Sequence, residues 1–131
     1  MSTGTQPIRS EQDIVLARQA ARKLAQQCGL RLVSQTKLVT AVSELARNTL
    51  VYGGGGDMQW EIVEKDLRKG VRISFVDQGP GIADMKLAMT DGWTSGGGLG
   101  LGLTGAKRLV NEFEIDSQPD VGTRVTISQW S

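Results

Sequence analysis

Histidine is absent from the 131 residues, which removes Ser-His-Asp and Cys-His catalytic groups and every histidine-containing zinc site together. A single cysteine, Cys28, leaves no structural disulfide and no thiolate metal cluster. Neither sign of charge dominates: 15 basic residues face 14 acidic ones for a net +1, so no summed field holds nucleic acid or an acidic membrane surface. No stretch reaches the ~20 apolar residues of a membrane span, and Met1 to Ser10 lacks the apolar core of a signal peptide. The expectation is a soluble, cytoplasmic protein with no nucleic-acid or membrane partner. Its length suits one domain over residues 1–131.

Glycine, by contrast, is abundant at 17 residues, close to twice the ordinary share of ~7%. Helical periodicity occupies the first part of the chain. Ile14, Ala17, Ala21, Leu24 and Cys28 recur at three- and four-residue steps, with Ser10 and Asp13 as a capping pair and Gly29 as the stop. Leu38, Val42, Leu45 and Thr49 form a second stripe, expected to start after Ser34 as N-cap and to end at Gly53 to Gly56. The period then becomes two. Met58, Trp60 and Ile62, and then Val71, Ile73 and Phe75, predict neighbouring antiparallel strands joined through Asp66 to Gly70.

Between Gly79 and Gly98 the pattern fails for about 20 residues, too long for an ordinary connection, so this stretch is functional or mobile. Leu103, Ala106, Leu109, Val110 and Phe113 restore a helical stripe. Strand-like segments Glu112 to Ser117 and Thr123 to Trp130 follow, split by a turn at Pro119 to Gly122, and helix and strand patterns overlap at Glu112 and Phe113. The sum is about three helices and four or five strands: an α/β two-layer sandwich, with a mixed, mostly antiparallel sheet covered by helices on one face.

Nine of the glycines lie between Gly79 and Gly105, which marks backbone that bends unusually or comes close to something. Ser95 to Leu103 leads into the third helix, where backbone N–H groups and the positive helix end suit a phosphate; a flexible linker is the other reading. Gly100, Gly102 and Gly105 each cost a helix up to ~1 kcal/mol against alanine, so close approach explains them better than propensity. They match G-x-G-x-x-G, but Thr94 to Gly98 is no strand, so the dinucleotide fingerprint fails. The loops of protein kinases and a Walker A motif are missing as well.

Asp77 ends a strand on the same face as Val71, Ile73 and Phe75. A carboxylate there is either a ligand's acceptor or a turn cap. Glu44 and Asn48 share one helix face. They form a general base with a neutral magnesium ligand, or an exposed face on which Arg47 or Lys37 pairs with Glu44.

Together, Glu44-Leu-Ala-Arg-Asn48, Asp77-Gln-Gly79-Pro-Gly81, Gly96-Gly97-Gly98-Leu99-Gly100-Leu101-Gly102 and Gly122-Thr123 resemble the N, G1 and G2 boxes and the final G-T of the GHKL (Bergerat-fold) ATPases. Within that superfamily the chain is most similar to the small bacterial serine/threonine kinases that regulate sigma factors, the stressosome switch kinases in particular. The resemblance implies a Bergerat fold using ATP and Mg2+. It makes Asn48 the magnesium ligand, Glu44 the base or water-orienter and Asp77 the acceptor of the adenine amine. Gly79 and Gly81 would border the base, with Gly81 letting the backbone pass beside it. Gly98, Gly100 and Gly102 would contact phosphate within the run from Gly96 and Gly97 through Leu99 and Leu101, and Thr123 would support Asp77. Residues 79–98 become an ATP lid in which Trp93 reports closure.

The implied partners are STAS-domain proteins, among them stressosome subunits and anti-sigma antagonists, and a PP2C-type phosphatase that the released kinase activates. The alternative is an anti-sigma factor that also holds a sigma factor. Anti-sigma kinases usually continue the box as Asn-Ala-Ile-x-His, whereas Thr49, Leu50, Val51 and Tyr52 follow Asn48 here. That departure leaves Arg47 either pairing with Glu44 or facing a partner.

Overall fold

A computed structural model describes residues 3–79 and 99–131, with the side chains of residues 99–102 outside the description. The elements are β1 (Thr3–Ile8), α1 (Glu11–Gln27), α2 (Leu32–Val51), β2 (Gly56–Lys65), β3 (Arg68–Asp77), α3 (Leu99–Leu109), β4 (Glu112–Gln118) and β5 (Gly122–Trp130). Five strands form one sheet in the order β1-β2-β3-β5-β4. Every pairing among them is antiparallel, so the expected mixed character is absent from the described strands.

The core lies between one sheet face and the helices. Met58, Val71, Ile73, Phe75, Val125 and Ile127 meet Ile14 and Leu24 of α1, Leu38, Val42 and Leu45 of α2, and Leu103 of α3. Each large side chain sealed there contributes roughly 1.5–3 kcal/mol. Ala17, Ala21 and Ala25, four apart and fully buried, let α1 lie close to its neighbours. The other sheet face is polar: the Ser74 and Thr126 hydroxyls pair at 2.9 Å, and Arg72 donates to Ser128 Oγ at 3.3 Å.

The ends of the elements follow local chemistry. Ser10 caps α1 in position but makes no side-chain cap bond; Asp13 instead accepts the Arg9 N–H at 2.9 Å. Gly29 adopts φ +74. Its N–H reaches Gln26 O and the Leu30 N–H reaches Ala25 O, the paired bonds of a Schellman motif. Cys28 is buried at this corner, with Sγ 3.6 Å from Gly70 O; burial pushes its thiol pKa up, and Lys69 offsets part of the shift.

Helix α2 begins at Leu32 with Arg31 as N-cap, so Ser34 lies inside the first turn and not at the cap. The β2–β3 connection is tighter than the expected Asp66-to-Gly70 loop. Lys65 pairs with Arg68, and the two turn residues, Asp66 and Leu67, both have positive φ, as a type I′ turn requires. Strand β1 lay outside the sequence expectation. Its Gly4 sits beneath the Trp60 ring, where a Cβ would come within 2.3 Å, and Pro7 is tolerated because β1 is an edge. At Glu112 and Phe113 the strand pattern prevails, because α3 ends at Leu109. No helix among the described residues is long and apolar enough to cross a membrane.

Candidate functional site

The C-terminal end of α2 and the end of β3 meet, and the candidate residues gather where they do. Leu38, Val42, Leu45 and Thr49 hold α2 on the core. Glu44 is exposed, while Asn48, one turn on, is half-buried at the margin. The Asn48 carbonyl accepts the N–H groups of Tyr52 at 2.9 Å and Gly53 at 3.1 Å, which folds the glycine run back toward the sheet. Gly53 then lies against Asp77 so closely that a Cβ on it would be 2.5 Å from the carboxyl carbon.

Asp77 is ringed by backbone. Gly79 donates its N–H to Oδ1 at 2.9 Å, and Gly79 itself packs on Gly53, where a Cβ would come within 2.8 Å of the Gly53 Cα. Thr123 stands directly opposite Asp77 across the β3–β5 pairing. A Cβ on Gly122 would strike the Asp77 carbonyl oxygen, and Gly122 has φ +146. Burial raises the Asp77 pKa above the ordinary aspartate value, while hydrogen bonds from the backbone of Gly79 and Thr123 lower it in part. The two readings of Asp77 are therefore compatible. One oxygen caps the turn, and a carboxylate with room for about four hydrogen bonds retains capacity for a ligand's donor.

Two buried polar atoms lack a partner among the described residues: Asn48 Nδ2 and the Tyr52 hydroxyl. Unsatisfied buried groups cost ~1–3 kcal/mol each, so two of them at the end of α2 call for a partner beyond the described residues. No group of three or more acidic or cysteine side chains able to hold a metal occurs among the described residues. Asn48 offers a single neutral oxygen, enough only to share a magnesium ion held mainly by phosphates and water.

The glycine-rich run is brought in by α3. Leu99, Gly100, Leu101 and Gly102 form its first turn, where N–H groups have no partner inside the helix, and Leu103 and Ala106 are buried. At Gly105 a Cβ would meet no described protein atom within 4 Å. Gly81, Gly96, Gly97, Gly98, Trp93 and the lid expected over 79–98, apart from Gly79, lie outside the described residues.

Thr123 supports Asp77 through its backbone, while its hydroxyl pairs with Ser117 Oγ at 2.8 Å. Arg47 reaches Glu11 of α1 at 3.5 Å and does not pair with Glu44. Sequence reasoning missed Gly53 and Tyr52. The signal was present, since four consecutive glycines are more than a helix stop requires.

Comparison with known proteins bears on the whole assembly. The sequence pattern of the histidine kinase-, DNA gyrase B-, and HSP90-like ATPases matches residues 33–130. Serine/threonine-protein kinase RsbT of Bacillus subtilis (strain 168) is 45% identical over 123 residues, 94% of this chain and 92% of that protein. The anti-sigma F factor of Clostridium novyi (strain NT) is 35% identical over 103 residues, 72% of this chain and 69% of its own. Among solved structures, the mycobacterial sensor histidine kinase MprB superposes with a TM-score of 0.58 at 17% identity, covering 98% of this chain and 97% of that one. The SiaB-SiaC complex from Pseudomonas aeruginosa gives 0.56 at 16% identity, covering 100% and 90%. At such identities the structural likeness speaks for the fold.

Proposed function

The chain belongs to the histidine kinase-, DNA gyrase B-, and HSP90-like ATPases and is an ATP-dependent serine/threonine protein kinase similar to RsbT, and we propose that it phosphorylates STAS-domain proteins and, once released, binds and activates a PP2C-type phosphatase. The observation that carries the nucleotide site is the Asp77 carboxylate lying against the backbones of Gly53 and Gly79, with Gly122 packed on its main chain. Only glycines allow a flat ring system to approach a carboxylate so shielded, and the carboxylate then accepts the exocyclic amine of adenine.

Asn48 would hold Mg2+ through its amide oxygen, and the ion would supply charge neutralisation on the phosphates during transfer. Glu44, exposed one turn earlier, is free to meet an incoming protein hydroxyl and take its proton as the oxygen attacks the γ-phosphorus. The first turn of α3 presents N–H groups to the phosphates, with Gly96, Gly97 and Gly98 in the same run ahead of it, while Gly81 lets the backbone pass beside the base. Thr123 and Gly79 hold Asp77 in place. Catalysis on this reading rests on alignment and charge neutralisation, with no covalent enzyme intermediate.

The test is transfer of labelled γ-phosphate from Mg-ATP to STAS proteins of the same genome, followed by acid and alkali treatment of the product. Acid-stable, alkali-labile label on one STAS protein is expected. Nucleotide binding with no transfer to any of them would overturn the reading. Similarity to an anti-sigma F factor supports a second reading, in which the chain also sequesters a sigma factor; co-purification with sigma would favour it.

A further inference from the structure

Helix α2 ends on two side chains one turn apart, Asn48 and Tyr52, whose tips share a defect. Asn48 Nδ2 and the Tyr52 hydroxyl are both sealed from solvent, and neither has a hydrogen-bond partner among the described residues. The Tyr52 N–H is bonded to the Asn48 carbonyl at 2.9 Å, so the chain is still helical there and the two side chains lie within about 40° of each other on one face. A hydroxyl buried without a partner is a net loss to the folded chain, and phenylalanine would fill nearly the same volume without that loss. The phenol oxygen therefore weakens the free protein, and an account of it needs a ligand.

Helix geometry gives the direction in which the hydroxyl faces. Arg47 meets Glu11 of α1, and Tyr52, farther along α2, is turned about 140° from Arg47. Its stripe runs back through Leu45 and Ala41, both buried, on the side away from α1, and α3 is the other described helix packed on α2. The first turn of α3, from Leu99 to Gly102, carries backbone N–H groups with no partner inside the helix. Gly53, next in the chain after Tyr52, also donates its N–H to Asn48 O and lies against the Asp77 carboxyl.

The unmet groups are of one kind. An amide N–H, a phenol O–H and the first N–H groups of α3 are all donors, and no described side chain accepts from Asn48 Nδ2 or from Tyr52. Donors that converge without an acceptor complement an anion rich in oxygen. We propose that the Tyr52 hydroxyl donates a hydrogen bond to a phosphate oxygen of bound ATP, beside Asn48. The phenol keeps its proton and transfers nothing; its part is to bind the phosphate chain and hold it at the end of α2. The proposal rests on the reading that ATP lies between Asp77 and the first turn of α3.

Tyr52→Phe in the full chain removes the oxygen and leaves the ring. Its melting temperature without nucleotide should equal or exceed that of wild type, since no bond is lost and an unsatisfied group is removed. Calorimetry should show Mg-ATP bound about tenfold or more weakly, with adenosine, which has no phosphate, bound within about twofold of wild type. Asp77→Asn, measured alongside, should weaken both ligands, because it acts on the base. A lower melting temperature in Tyr52→Phe would mean that the hydroxyl is already bonded in the free protein, which overturns the proposal. Wild-type affinity for Mg-ATP overturns it as well, the place then holding no more than a water molecule. An equal loss for adenosine takes the contact off the phosphates and overturns the assignment. Should Asp77→Asn leave both affinities unchanged, the nucleotide reading itself fails, and the Tyr52 contact with it.

Discussion

Burial holds the Asp77 carboxyl above the ordinary aspartate range, against the pull of the Gly79 and Thr123 backbones. A carboxyl with a raised folded pKa binds its proton more tightly in the folded chain than in the unfolded one. It therefore removes stability as pH rises through the window between its ordinary and raised values. Asp77→Asn keeps an oxygen for the Gly79 N–H and loses the charge. Its melting temperature without nucleotide should equal or exceed wild type at neutral pH, and the difference should shrink on acidification below the ordinary aspartate range. The same variant should bind ATP ~10 to 100-fold more weakly, the equivalent of a charge-assisted bond of roughly 1.5–3 kcal/mol. Undiminished affinity would sink the adenine assignment. Wild-type affinity should itself decline on acidification while the solution is still above the pH at which an ordinary aspartate protonates. Glu44 makes a contrasting prediction. It is exposed, and no hydrogen bond or ion pair among the described residues ties it to the fold, so Glu44→Gln should retain ATP affinity and stability while losing transfer; full transfer would remove it from the chemistry.

The elements that were legible from sequence are those whose pattern is set by burial. Met58, Val71, Ile73 and Phe75 alternate because one face of their strands meets helices, and that alternation also put Asp77 on the face where it is found. Strand β1 has no such pattern: among its six residues only Ile8 is fully buried, and Gly4 and Pro7 both argue against a strand. It exists because Trp60 and the β2 edge provide the pairing, a tertiary cause that no local reading contains. The start of α2 was misplaced for a related reason. Arg31 makes no side-chain cap, so the visible candidate, Ser34, attracted the boundary. Gly105 separates two explanations that sequence cannot. With open space around it among the described residues and a position inside α3, Gly105→Ala should stabilise the nucleotide-free protein by about 0.5–1 kcal/mol. A thermal or urea melt checks this; destabilisation would mean that something outside the described residues approaches it.

At the scale of the whole molecule, helices cover one face of the sheet and leave a polar one, and the candidate chemistry gathers at one end of α2 and β3. Asn48 sits near that end and Cys28 near the other, yet both helices that carry them share one core cluster with Val42 and Leu45. That geometry gives the lone thiol a use as a clock. A sulfhydryl reagent can reach Cys28 only when the α1–α2 corner lifts from Gly70, so the rate of alkylation in native buffer, divided by the rate for an unfolded chain, measures the fraction of time spent open. Because the core is continuous, Mg-ATP bound at the far end should slow alkylation in proportion to its occupancy. A rate indifferent to nucleotide would show that the corner breathes by itself.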